Sequence, residues 1–236
     1  MAQVSLTRLR RCFPGFALTA AVLSLVGSAA APPAEAAKAR ATVTEILDGT
    51  EFFIEAKPAK VLQQATTPEV VSTKSSRGTL AFSNGAMARI NRNSQFKLQS
   101  SCFLLTKGQV LISGPQNACI PSMKMAARGT NYVVEVMDDG TTQLSVLEGV
   151  VQLENTDPRK RGWINPIDRE TVRISPTGEI LDRRCMVSTD YKAVLKGPLF
   201  QGYEKPLPAF HNLSNLLSAN VPLPRAALSV LSFGLF

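Results

Sequence analysis

Residues 123–153 constrain the fold of this chain more than any other stretch. Their sequence, MKMAARGTNYVVEVMDDGTTQLSVLEGVVQL, places apolar side chains at the spacing of two that is typical of half-buried β-strands. Asp138-Asp139-Gly140 separates two such runs, and an Asp-Gly pair in this setting indicates a tight hairpin turn because glycine accepts positive φ. Glu148-Gly149 punctuates the second run. We therefore expect three or four short strands joined by tight turns.

One motif in this stretch has a functional interpretation. Arg128-Gly129-Thr130 lies where we expect one strand to end and the next to begin. A glycine inside a strand pattern usually marks a bend or a bulge, and we interpret Gly129 in that way. Arg128 could grip a carboxylate or phosphate of a partner through two parallel hydrogen bonds. The alternative is that Arg128, Gly129 and Thr130 serve only the structure of the turn.

The rest of the chain repeats short strand patterns between turn signals. Ser83-Asn84-Gly85 and Pro176-Thr177-Gly178 are typical turns, and about a dozen strands at short, regular spacing predict an all-β fold. We expect short antiparallel strands that form a sandwich or a β-roll. Ser188-Thr189-Asp190 predicts the cap of one short helix at residues 191–196, which Gly197-Pro198 would end. The Pro-rich tail beyond Gly202 is expected either to be a disordered arm or to dock on the domain.

The N-terminus has the pattern of a secretory signal peptide. Three arginines precede an apolar run at residues 16–26, and Ala34-Glu35-Ala36 is an A-x-A cleavage pattern. No later stretch is long and apolar enough to cross a bilayer, so we expect no membrane span after the signal is removed. We therefore expect an exported protein. We divide the chain into a signal peptide (1–36), a β domain (37–187), a helix and closing segment (188–203) and a Pro-rich tail (204–236).

The charge of the expected mature chain indicates which partners it can meet. Cleavage after Ala36 removes Arg8, Arg10, Arg11 and Glu35, which lowers the net charge from +8 to +6. A basic exported protein can meet an anionic envelope surface or acidic partners. Nucleic acid is not an expected partner in that compartment, and one Trp with three Tyr offers no stacking platform for bases.

Three cysteines remain in the expected mature chain. Cys102 and Cys119 flank an apparent hairpin that turns at Lys107-Gly108, and a disulfide between them would tie its base to the loop at 114–121. Cys185 is then buried and inert, a free thiol or an intermolecular link. A zinc site is not expected, because the chain has no C-x-x-C spacing and its one histidine, His211, lies far downstream.

We find no catalytic constellation and expect neither an enzyme nor a cofactor. His211 has no nucleophile motif near it, and the chain has no P-loop and no dinucleotide fingerprint. Asp138 and Asp139 could be read as the carboxylate pair of a glycosidase, but adjacent turn residues point apart and the Asp-Gly turn accounts for them better.

Three motifs, in this order, resemble the FecR domain. They are TLAFSNGAMARINRNS at 79–94, LLTKGQVLIS at 104–113, and AARGTNYVVEVMDDGTTQLSVLEGVVQL at 126–153. The resemblance covers residues 79–153 closely and residues 163–203 more loosely. It implies a periplasmic, β-rich sensing or protein-binding module whose partner is another envelope protein, a receptor or a regulator of unknown identity.

The type member of this family relays a ferric-citrate signal from an outer-membrane receptor to a sigma factor, through a cytoplasmic anti-sigma segment and a membrane span. Only fifteen residues precede the apolar run here, so we expect a stand-alone exported protein that lacks the anti-sigma segment. A structural or adhesive envelope protein, with the β domain as scaffold and residues 204–236 as anchor, is the alternative. The sequence leaves the oligomeric state open.

Overall fold

The structure, a computed structural model, describes residues 39–157, 159 and 163–209. The predicted signal peptide and residues 210–236 of the predicted tail, with His211, lie outside the described residues. The described strands and helix are β1 (Arg40–Leu47), β2 (Phe52–Ile54), β3 (Lys57–Pro58), β4 (Gln64–Thr66), β5 (Val70–Thr73), β6 (Arg77–Phe82), β7 (Met87–Ile90), β8 (Gln95–Leu98), β9 (Phe103–Gly114), β10 (Ala118–Ile120), β11 (Met123–Val136), β12 (Thr142–Asn155), β13 (Trp163–Ile167), β14 (Glu170–Ile174), β15 (Ile180–Cys185) and α1 (Ser188–Leu195).

All of these strands join one mixed sheet. Its main path runs β15-β14-β12-β11-β10-β9-β7-β6-β1-β4, while β13 pairs with β12 and the branch β3-β2-β5-β8 returns to β9. The all-β class with one short helix is therefore confirmed. Two details differ from the expectation of short antiparallel strands. β9, β11 and β12 have 12, 14 and 14 residues, and β10 pairs with β9 in parallel.

Glycines inside the long strands allow these strands to be longer than expected. The hairpin turn predicted at Lys107-Gly108 is wrong, since β9 continues through it. Gly108 has φ +81°, and the strand that pairs with β9 changes at this residue. Before Gly108, β9 pairs with β8 as far as Gln95, and after Gly108 it pairs with β7 from Ile90 onward. A Cβ at Gly108 would lie 2.5 Å from the Cα of Ser94, so only glycine fits where the two backbones approach. The glycine bends the strand instead of ending it.

β11 and β12 are bent in the same way. Gly129 has φ +60° and Gly149 has φ +79°, and the pairing register between the two strands shifts from Arg128–Val150 to Asn131–Glu148. Gly129 is therefore a bulge residue, as the sequence predicts, but no strand ends there. A β-bulge inserts an unpaired residue and increases the local bend.

The predicted hairpin turns at Asp138-Asp139-Gly140 and Ser83-Asn84-Gly85 are confirmed. Gly140 has φ +78° and its N–H donates to the Met137 carbonyl at 2.9 Å. Gly85 has φ +83° and donates to the Phe82 carbonyl at 3.0 Å. Both turns join strands that pair with each other, β11 with β12 and β6 with β7.

Two hydrophobic clusters stabilise the sheet. The main core collects inward side chains from the whole sheet, and its largest fully buried members include Tyr132, Phe52, Phe96, Phe103 and Leu80. The second core lies on the other side of the central strands. Leu111, Val133 and Leu147 of the sheet pack there against side chains from α1 and the segment that follows it, namely Tyr191, Leu199, Phe200 and Leu207.

Helix α1 begins three residues before the predicted start. Asp190 is the third helical residue and not the cap, and its carboxylate accepts the N–H of Val187 at 2.8 Å. A carboxylate in the first turn satisfies an N–H group that has no partner inside the helix. The helix ends at Leu195, before Gly197-Pro198.

Cys102 and Cys119 form a disulfide, with their Cα atoms 5.9 Å apart. The bond links the residue before β9 to β10, which pairs in parallel with the start of β9. The disulfide therefore holds the short strand β10 in place, where the sequence predicts a loop at 114–121. Cys185 lies exposed at the end of β15, and it too is disulfide-bonded. The expectation of a buried, inert Cys185 is therefore wrong.

The glycine pair in the β11–β12 bulge provides a matched test of the bend. Both Gly149→Ala and Gly129→Ala incur the cost of positive φ, about 1–2 kcal/mol each. At Gly149 the new Cβ would also lie 2.7 Å from the Gly129 carbonyl oxygen and 3.0 Å from the Thr130 Cα, whereas nothing lies within 4 Å at Gly129. Overpacking adds about 1–3 kcal/mol, so urea unfolding should show the larger loss for Gly149→Ala. Equal losses would show that the bulge relaxes around the added methyl group.

Removal of the disulfide should weaken the fold without changing it. The two cysteines are 17 residues apart, and closing a loop of this size is worth about 3 kcal/mol in the chain-entropy model. The double variant Cys102→Ser, Cys119→Ser should lose about that much free energy of unfolding in urea, with an unchanged circular dichroism spectrum. A loss below about 1 kcal/mol would mean that strand pairing alone fixes β10.

Candidate functional site

The structure separates the three residues of the predicted Arg128-Gly129-Thr130 site. Arg128 and Gly129 are exposed, whereas Thr130 is fully buried and its hydroxyl has no hydrogen-bond partner among the described residues. Arg128 forms neither an ion pair nor a hydrogen bond with any residue in the described part of the chain. Thr130 therefore belongs to the interior, and only Arg128 is available to a partner.

Arg128 lies on an uncovered part of the sheet that we call the bulge surface. Lys124, Ala126 and Arg128 alternate along β11 with the main-core residues Met123, Met125 and Ala127, so they point away from that core. Across the ladder, Arg128 pairs with Val150, Ala126 with Gln152 and Lys124 with Glu154. We define the bulge surface as these six outward residues: Lys124, Ala126, Arg128, Val150, Gln152 and Glu154.

A pocket of about 200 Å³ opens at one end of the bulge surface. The small side chain of Ala126 forms part of its lining, beside Lys124 and Glu154. Cys102 and Cys119 line it from β10 and the residue before β9, so the disulfide fixes its wall. Val150, which is 36% exposed, adds apolar surface beside Arg128. The surface thus combines an unpaired cation, a lysine and exposed apolar area on a rigid backbone.

Asn131 marks the border between the bulge surface and the covered part of the same side of the sheet. Its Nδ2 donates to Glu148 Oε2 at 3.0 Å and to the carbonyl of Ala209 at 3.2 Å. The N–H of Ala209 donates in turn to Ser113 Oγ at 3.2 Å. Ala209, the last described residue, is therefore held on β9 through its N–H and on β11 through its carbonyl.

Residues 198–209 form a segment that we call the strap. It follows α1 and lies over the second core, where Leu199, Phe200 and Leu207 are buried. Its residues 204–209 belong to the predicted Pro-rich tail, so this part of the tail docks on the domain.

Two arginines of the β6–β7 hairpin bind the strap through its backbone. Arg77 donates to the carbonyls of Pro198 and Gln201, the latter at 2.8 Å, while its other nitrogens bind Asp48. Arg89 donates to the carbonyls of Leu199 at 3.2 Å and Lys205 at 2.9 Å.

Tyr203 lies against both arginines. Its ring centroid is 4.4 Å from Cζ of Arg89 and 5.4 Å from Cζ of Arg77, which are cation–π distances. Its hydroxyl donates to the Ile90 carbonyl at 3.3 Å, and burial raises the pKa of that hydroxyl. The strap is thus fixed to the sheet by contacts at its start, its middle and its end.

The charges at this clamp are balanced by neighbouring groups. Burial lowers the pKa of the Arg89 guanidinium to about 10, so it still carries its charge at neutral pH. The hydrogen bond from Arg77 holds the pKa of the Asp48 carboxyl below its usual value. Glu45 accepts the Glu204 N–H at 2.7 Å and the Thr79 hydroxyl at 3.0 Å. Arg77 is thus paired with the Asp48 carboxylate, whereas Arg89 donates to backbone carbonyls and its buried Nε has no hydrogen-bond partner among the described residues.

Sequence reasoning missed Arg77 and Arg89. A signal was present, because each stands in a short run that otherwise reads as a buried strand, RGTLAF and MARI. A charged residue is rarely buried unless it is paired, so such a position indicates a partner elsewhere in the chain. Nothing in the sequence, however, shows that the partner is the backbone of a segment more than 100 residues away.

The described residues do not assemble catalytic or metal-binding groups. No cluster of three or more His, Cys, Asp or Glu that could hold a metal ion occurs among them. Asp138 and Asp139 are exposed on their turn, and Asp139 accepts the N–H of Thr141 at 2.8 Å. Within the part of the chain that the structure describes, no helix is long and apolar enough to cross a lipid bilayer.

The fold is a β-rich module whose central strands carry an exposed arginine on a bulge. Residues 69–152 match the family model described as FecR protein, which spans β5 to β11 and most of β12. The match begins ten residues before the first motif that resembles this family. Residues 69–152 are therefore identified as a FecR domain within the chain.

Two crystal structures of a proposed anti-sigma factor from Parabacteroides distasonis ATCC 8503 are similar to this chain. Each shares 15% sequence identity with a TM-score of 0.44. The alignments cover 63% and 64% of this chain and 74% of the other chain in both cases. No curated protein matches the chain.

The clamp can be tested through Arg89→Met, which keeps much of the buried side-chain volume but removes the donors. The carbonyls of Leu199 and Lys205 would lose their partner, which should lower the free energy of unfolding by about 1–3 kcal/mol. Backbone amides of the strap should exchange with solvent faster, as measured by hydrogen–deuterium exchange. Arg92→Met is the control, because Arg92 is 46% exposed and binds Asp48 and Ser75 but not the strap. Equal exchange in both variants would contradict the clamp.

Proposed function

We propose that this protein is a non-enzymatic sensing module that acts outside the cytoplasm and binds an envelope protein through the bulge surface. The observation that carries the proposal is Arg128, an exposed arginine on a rigid bulge of the FecR domain without a partner among the described residues. The FecR match supports the sensing role.

An oxidising compartment is supported by two observations. The Cys102–Cys119 disulfide is of a kind that persists in secreted and periplasmic proteins and is rare in the cytosol. The N-terminal sequence has the basic, apolar and small-residue order of a signal peptide. Together they favour export of the chain, with the β domain folded in the periplasm or envelope.

The chemistry of the bulge surface indicates what it binds. An arginine fork matches the two oxygens of a carboxylate, and such charge-assisted pairs are stronger than neutral hydrogen bonds. Val150 and Ala126 add apolar contact next to Arg128. Lys124 and Glu154 lie opposite each other on the two strands, so the net positive charge of the surface comes from Arg128. The partner is therefore expected to present an aspartate or glutamate beside apolar side chains.

Arg128→Ala tests this function directly. Disulfide-intact protein is used in a crosslinked pull-down from the envelope fraction, and the variant should lose at least about tenfold in affinity for the recovered partner, as expected for a central arginine of an interface. Its unfolding in urea should match that of the unchanged protein, because Arg128 is exposed and makes no described contact. Arg40→Ala is the matched control, since Arg40 is an exposed strand arginine at the far end of the sheet path.

The outcomes distinguish the alternatives. Recovery of a receptor or regulator that Arg128→Ala loses and Arg40→Ala retains would support the proposal. A stability loss in Arg128→Ala without a change in binding would make Arg128 a structural residue. Recovery of wall components alone, or of no envelope protein, would contradict the sensing function and favour the structural or adhesive alternative.

A further inference from the structure

The turn at residues 60–63 has a backbone that its sequence does not favour. The N–H of Gln63 donates to the Lys60 carbonyl at 3.0 Å, which closes a four-residue turn around Val61 and Leu62. Leu62 has φ +72° in the third position, which gives the turn type II character. That position normally holds glycine or asparagine, because a larger side chain collides with the backbone at positive φ.

The two central side chains of this turn are also exposed. Leu62 is 77% exposed, the highest value among the exposed large apolar residues of the described chain, and Val61 is 50% exposed. Neither belongs to the two hydrophobic cores. A single exposed leucine is ordinary in a protein surface. A leucine that is exposed and also strained is unfavourable for the fold on two counts.

The turn is held rigidly on strand β1. The N–H of Leu62 donates to the Val43 carbonyl at 2.7 Å, and the N–H of Val43 donates to the Gln63 carbonyl at 2.9 Å. The side-chain oxygen of Gln63 accepts the Lys60 N–H at 3.1 Å. These bonds fix the direction in which Val61 and Leu62 point. Strained residues that the surroundings hold in place are typical of ligand-binding segments.

We propose that Val61 and Leu62 form a preformed apolar contact that inserts into an apolar pocket, bordered by carboxylates, on a partner protein. Lys57 and Lys60 are exposed beside it and make no ion pair with a described residue. The nearby carboxylate of Glu55 already accepts the Val70 N–H at 2.6 Å. Two lysines against this one glutamate leave residues 55–63 with a net charge of +1, which complements an acidic rim.

The rigidity of the turn favours a protein pocket over a lipid surface. Insertion into lipid requires apolar area but no fixed side-chain direction, whereas a shaped pocket gains affinity from an anchor that is already oriented. This contact goes beyond the proposed function, since residues 60–63 precede the segment that matches the FecR family. It lies next to β4, which ends the sheet path opposite to β15.

The first experiment asks whether Leu62 serves the fold. Leu62→Gly relieves the positive-φ strain and removes the exposed side chain, so the urea midpoint of the full chain should stay the same or rise. Leu181→Ser is the control, since Leu181 is 54% exposed on a strand without positive φ. A clear fall of the midpoint in Leu62→Gly would make Leu62 a structural residue and would overturn the proposal.

The second experiment measures binding with a photoreactive probe. The full chain carries benzoylphenylalanine at position 62, or at position 181 as control, and is irradiated with envelope extract. We expect one protein adduct from position 62 only. Unlabelled wild-type protein should compete for it, and at least about tenfold more Leu62→Gly protein should be needed for the same effect. The double variant Lys57→Glu, Lys60→Glu should also compete poorly.

Three outcomes would overturn the proposal: no protein adduct, the same adduct from both positions, or competition by Leu62→Gly equal to that of the wild type. Cosedimentation of the wild type, but not of Leu62→Gly, with phosphatidylethanolamine–phosphatidylglycerol vesicles would replace the protein pocket with lipid. Arg128→Ala protein should still form the adduct, so failure of this contact and failure of the bulge surface can be told apart.

Discussion

The bending of the long strands is the constraint on which the rest of the structure depends. A straight strand of 12 residues such as β9 would span about 40 Å. Yet the four Cα-to-Cα steps from Gly114 to Ala118 reach only about 14 Å, and Ala118 pairs beside Phe103 at the start of β9. The two ends of β9 must therefore come close together, which the bend at Gly108 permits. β11 follows the same curve at Gly129, so it pairs with β10 first and with β9 afterwards.

This curvature divides the outward side of the central strands into two surfaces with different properties. One is covered by α1 and the strap, which bury Leu111, Val133 and Leu147. The other, beyond the bulge, carries Arg128 and is not covered by any segment between residues 39 and 209 that the structure describes. The same bulge glycines that let the sheet curve around its main core therefore also position the arginine. The disulfide acts on this second surface, because it fixes β10 against β9 beside the pocket.

The sequence predicts the parts of this arrangement that depend on neighbours in the chain. Asp139-Gly140 and Asn84-Gly85 predict their turns, because a polar residue and a glycine between two alternating runs usually reverse the chain. The same rule fails at Gly108 and Gly149, where positive φ marks a bulge instead of a turn. The pairing of the neighbouring strand decides whether the chain turns or continues at such a glycine. The Arg128 site is predicted only in part, since burial of Thr130 depends on β9. The clamp by Arg77 and Arg89 could not be predicted, because its acceptors are backbone carbonyls, which every residue has.

The use of backbone acceptors has an evolutionary consequence. Arg77 and Arg89 bind carbonyl groups, and Glu45 and Ser113 bind N–H groups, so much of the attachment of the strap is independent of the side chains at those positions. The side chain of Lys205 is therefore free to change, while Phe200, Tyr203 and Leu207 are restricted by the space they fill. Related chains should therefore be recognised by the pair of buried arginines in the β6–β7 hairpin, even where the strap has diverged beyond alignment.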